Sequence, residues 1–120
     1  MTCRTKLIVL LAVETALFLA ASSVHAGIAL TGYEHSKAAT AEGVIGVMLA
    51  LGLVGSLIQP VPKPVLALLV QAFALLGTLV GAFTIAVGVG PQTYADIVFH
   101  LVLLTVLGTG MFIAWKTLRR

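Results

Sequence analysis

The sequence predicts an all-α integral membrane protein, a four-transmembrane-helix antiparallel bundle with both termini cytoplasmic. Three observations predict it. Of the 120 residues, 60% are hydrophobic and 9% charged, whereas soluble chains carry roughly 25% charged residues. The surface of so small a soluble domain could not be covered by so few charges, and a bilayer removes that need. The apolar residues gather into four runs, and the basic residues flank those runs asymmetrically. The length predicts a single transmembrane domain over residues 1–120.

Run one covers residues 7–30, long enough for a hydrocarbon core that needs ~20 residues. Arg4 and Lys6 precede it. It also has the outline of a secretory signal, with Val24 and Ala26 fitting cleavage after Ala26. Glu14 interrupts its apolar centre, and the run exceeds the ~7–15 residues of a signal core, so a retained helix is expected. The polar outer loop, residues 31–40, follows with Gly32 as its turn.

Run two covers residues 41–59. Thr40 is the expected cap, with Glu42 in the first turn, where the helix dipole favours a carboxylate. Gly43, Gly46, Gly52 and Gly55 allow close approach of a neighbouring helix. PVPKP, residues 60–64, forbids helix continuation. Run three covers 65–89 and contains Gly77 and Gly81 as a GxxxG pair, which suits packing within the chain or between copies. GPQT turns the chain into run four, residues 94–115, bracketed by Tyr94 and Trp115 like interface anchors.

Orientation follows from Lys and Arg. Arg4, Lys6, Lys63, Lys116, Arg119 and Arg120 fall on one side and Lys37 on the other, which puts both termini inside a plasma (inner) membrane. This distribution reads as topology signal and not as a phosphate-binding groove, so no nucleic-acid partner is expected. Cys3 is alone and forms no internal disulfide or CxxC motif. No glycine loop of phosphate-binding pattern and no nucleophile–base pairing is visible, and a non-enzymatic protein is expected.

With topology set, depth can be counted at ~1.5 Å per residue. His25 and His100 fall at matching depth near the outer ends of runs one and four. Asp96 lies four residues before His100 and shares its helix face. Glu42 starts run two, and His35 and Glu34 hang in the loop above. The leading expectation is a site for a transition metal ion or haem formed by His25, His35, Glu42, Asp96 and His100, in an accessory subunit of a membrane complex. In its haem version His25 and His100 are axial ligands. The simpler alternative has each histidine bonded locally near the water interface.

Glu14 lies near mid-membrane, where a carboxylate is expensive and marks function or a partner. It is eleven residues from His25, nearly the same helix face, and Gln71 and Thr109 lie at similar depth. Glu14 is therefore expected to face inward and bond to Gln71 or Thr109. It is either a proton- or cation-coupling carboxylate, in a small transporter working as a homodimer, or a neutral acid that fixes helix register in a purely structural subunit. Four short spans with Glu14 in the first (VETALFLAAS) resemble the small multidrug resistance transporters, in size and at that one position. The resemblance implies a transport role for Glu14. The cavity-lining aromatic residues of that family have no counterpart, since the only Trp is Trp115.

Overall fold

The computed structural model describes residues 1–59 and 64–120. Four helices carry the chain: α1 Cys3–His25, α2 Ser36–Ile58, α3 Pro64–Ala86 and α4 Tyr94–Leu118. Each is 23 to 25 residues long with a mean hydropathy of 2.0 to 2.3 over its most apolar stretch. At 1.5 Å per residue they reach about 34–38 Å, enough to cross a hydrocarbon core of ~30 Å. Pro60 to Lys63 of the expected PVPKP turn lie outside the described residues, and Pro64 opens α3.

The helix ends differ from the apolar runs, for local reasons. α1 stops at His25 although Ile28, Ala29 and Leu30 continue the apolar run. Gly27 turns the chain with φ +75°, and the Ala26 N–H bonds back to Ser22 O. The His35 N–H then reaches His25 O at 2.8 Å, so the loop is residues 26–35 and not 31–40. α2 starts five residues earlier than its apolar run. Its cap is His35, whose Nδ1 accepts the Ala38 N–H at 3.2 Å. Thr40 is not the cap: it lies inside α2, with its hydroxyl on Ser36 O. Glu42 accordingly sits in the second turn. α3 ends at Ala86, before Gly88 at φ +81°. Thr93 caps α4 in a box with Asp96, and α4 runs on to Leu118.

The helices alternate up and down, so both termini meet at one end and the 26–35 and 87–93 links at the other, called here the distal end. α1 packs most closely on α2 and α3 on α4, and α1 touches α3 across the bundle. Among the described residues α2 and α4 make no such diagonal contact. Glycines set the close approaches. A Cβ at Gly46 would meet Leu19 of α1 at 2.7 Å, and one at Gly52 would meet Val70 of α3 at 2.6 Å. Gly77 and Gly81 face Ile45 and His100 of the same chain, so the GxxxG pair serves internal packing.

Burial is inverted relative to a water-soluble bundle. A core of Leu7, Leu11, Phe18, Leu49, Leu103 and Leu107 is sealed, but so are Glu14, Gln71, His25, Glu42 and Asp96. Leu51, Leu69, Leu76, Phe83 and Leu101 point outward. An apolar exterior around an interior that seals polar side chains among apolar ones suits a lipid solvent.

Candidate functional site

The buried face of α1 reads Leu7, Leu11, Glu14, Thr15, Phe18, Ala21 and His25. Steps of three and four keep these residues on one stripe. The stripe therefore carries two ionisable side chains into the bundle, Glu14 halfway along and His25 at the distal end.

Glu14 and Gln71 are both fully buried. Gln71 Nε2 on α3 donates toward both carboxyl oxygens of Glu14, at 3.0 and 3.1 Å. Gly110 of α4 makes room for the pair: a Cβ there would overlap Gln71 Nε2 and lie 2.6 Å from Glu14 Oε1. Gln71 Oε1 is buried and has no hydrogen-bond partner among the described residues. Thr109 does not join the pair. It is exposed, and its hydroxyl bonds Thr105 O at 2.8 Å. Each residue turns a helix by about 100°, so when Gly110 faces inward Thr109 cannot.

At the distal end the His25 imidazole bridges two carboxylates. Nδ1 lies 2.7 Å from Glu42 Oε2 on α2, and Nε2 lies 3.0 Å from Asp96 Oδ1 on α4. A neutral imidazole has one N–H, and carboxylates only accept. Two such bonds therefore need two protons shared among the three groups, which leaves a net charge of −1. Asp96 is held from its other side, where Oδ2 accepts the Thr93 N–H at 3.2 Å and the Thr93 hydroxyl. Ser22 adds a bond from α1 to Ala39 O of α2 at 2.7 Å.

The other histidines stand apart from this bridge. His100 Nδ1 donates to Asp96 O at 2.8 Å, a bond within α4 that leaves Nε2 as a bare acceptor beside Gly81. His35 uses Nδ1 in its cap, and Glu34 accepts the Gly32 N–H at 2.8 Å. Of the five residues expected at one metal or haem centre, His25, Glu42 and Asp96 come together, while His35 and His100 do not join them. Among the described residues no group of three or more His, Cys, Asp or Glu is arranged to hold a metal ion. At His25 both ring nitrogens are engaged with carboxylates, Nδ1 with Glu42 and Nε2 with Asp96.

Two cavities flank the bridge. One of about 240 Å³ lies on the Glu42 side and is also lined by His35, Phe18, Ile45, Thr78 and His100. The second, on the other side, is lined by His25, Asp96, Tyr33 and Phe99.

Comparison with protein-family models, curated proteins and solved structures finds no match. Thr93 and Gly110 are the site residues that sequence reading missed. Thr93-x-x-Asp96 is a capping-box spacing and was open to detection. Gly110 carried no signal, because its role depends on which face of α4 turns inward.

Proposed function

We propose that this chain is a multi-pass inner-membrane protein, both termini cytoplasmic, that acts as a compact non-enzymatic subunit. Its first helix is retained and serves as a polar spine. One observation carries the reading. Among the described residues, the buried ionisable side chains are Glu14, His25, Glu42 and Asp96, and each is engaged in a bond between helices. Through them α1 reaches α3 by Glu14–Gln71, α2 by His25–Glu42 and α4 by His25–Asp96. Interhelical hydrogen bonds hold helices together where lipid removes the hydrophobic drive. Cleavage after Ala26 would remove one partner from all three bridges. The engaged nitrogens of His25 withdraw support from the metal and haem readings.

A second reading, proton- or cation-coupled transport through Glu14, is favoured by the unpartnered Gln71 Oε1 beside it. The full burial of Glu14 and Gln71 favours the structural role.

The test combines topology with flux. Reporters fused at the C-terminus should be active only in the cytoplasm, and the N-terminal residues should persist in the mature chain. Purified protein in liposomes should pass no protons above background, with wild type and Glu14→Gln indistinguishable. A periplasmic C-terminus refutes the topology. A proton flux abolished by Glu14→Gln selects the transport reading instead.

A further inference from the structure

The cavity on the Glu42 side has a polarity that hydrogen-bond accounting makes specific. Glu42 gives Oε2 to His25. Its Oε1 has no partner among the described residues, yet it is not among the sealed, unpaired atoms. Glu42 itself lines the cavity. His100 also lines the cavity, and its Nδ1–H is committed to Asp96 O, so in the neutral ring Nε2 presents a lone pair. The hydroxyls of Thr78 and Thr84 donate to Ala74 O at 2.8 Å and Gly81 O at 2.7 Å, which leaves only lone pairs toward the cavity. The wall of α2, α3 and α4 thus offers four acceptors, one carboxylate oxygen, one imidazole nitrogen and two hydroxyl oxygens, against one ring donor, the Nε2–H of His35, whose Nδ1 is taken up in the cap.

The remainder of the lining is apolar, with Phe18, Ile45, Val80 and Leu103 prominent. Val80 and Val89 at its edge are more than 60% exposed, so the cavity opens beside the apolar exterior. Lys37 lies at the exposed start of α2, where its stem can run along the rim and its ammonium stay in water. The volume of about 240 Å³ falls below the ~300–1,000 Å³ of drug-sized sites. An occupant must therefore be small, apolar along its body, and rich in donors at its head.

We propose that this cavity binds a short lipophilic amine, its ammonium group donating to Glu42 Oε1 and His100 Nε2 and its alkyl chain lying against Phe18, Ile45 and Leu103. An ammonium has three donors and no acceptor, which matches this wall. An alcohol brings one donor, and a carboxylate brings none and meets the Glu42 charge. The site is separate from the Glu14–Gln71 pair and does not depend on the orientation of the chain in a membrane.

The test uses the full purified chain in detergent and titrates n-hexylammonium, hexanol and hexanoate while following the His100 ring resonances by NMR. Saturable binding of hexylammonium alone is expected. Glu42→Gln should weaken it at least tenfold. Gly81→Ala should do the same while leaving the His25 bridge intact, because its methyl would sit 2.9 Å from His100 Nε2. If Glu42→Gln fails to fold, Gly81→Ala decides. Equal binding of hexanol or hexanoate, or unchanged affinity in either folded variant, overturns the proposal.

Discussion

Replacing Glu14 by leucine and by glutamine should give opposite results. In wild type Gln71 Nε2 has both Glu14 oxygens, while Gln71 Oε1 has no partner. Glu14→Leu strips the amide of those bonds in a sealed site. An unsatisfied buried donor costs about 1–3 kcal/mol. Glu14→Gln instead brings an amide that can accept from Gln71 Nε2 and donate to Gln71 Oε1, so stability should be unchanged or slightly higher. Removing both partners, in Glu14→Leu with Gln71→Leu, should recover most of the loss, because apolar replacement of both ends is close to neutral. The cycle can be read from reversible denaturant unfolding in micelles, followed by circular dichroism. A neutral Glu14→Leu would refute the reasoning. So would a Glu14→Gln as damaging as Glu14→Leu, which would mean that the negative charge itself is required.

Other outcomes follow from the same geometry. His25→Ala should cost about 3–5 kcal/mol, since it leaves Glu42 and Asp96 facing each other without the imidazole between them; thermal unfolding in micelles reads this, and a loss under 1 kcal/mol contradicts it. Gly110→Ala should destabilise by about 1–3 kcal/mol, because its methyl overlaps the Glu14–Gln71 pair, whereas Gly108→Ala on the open face of the same helix should be neutral or better. Thr93→Ala should cost about 1 kcal/mol by removing the α4 cap and should loosen Asp96, visible as faster amide exchange at the start of α4.

Much of the fold was legible because apolar runs this long become helices long enough to cross a membrane. The helix ends were less legible, since apolarity does not report where the backbone turns. Ile28 to Leu30 look like a span, yet Gly27 has already ended the helix. Ser36 to Thr40 look like a loop, yet His35 has already capped one. Within the site, counting residues measures height along the bundle and not the direction a side chain faces. Height alone brought Gln71 to Glu14, and His25 to the level of Glu42 and Asp96. It also suggested Thr109, which lies at a suitable height but turns to the exterior. His100 shares a face with Asp96, and that closeness is what commits its Nδ1 to the Asp96 carbonyl instead of to a shared centre with His25.

The central claim is that the buried ionisable side chains are each engaged in a bond between helices, His25 through both ring nitrogens. Nitrogen-15 NMR of histidine-labelled protein in bilayers tests it most directly at His25. Both ring nitrogens of His25 should appear hydrogen-bonded, and added zinc should leave them unmoved, while His100 should show one protonated nitrogen and one bare one. A bare nitrogen at His25, or a zinc-induced shift of His25 and His100 together, would contradict the account.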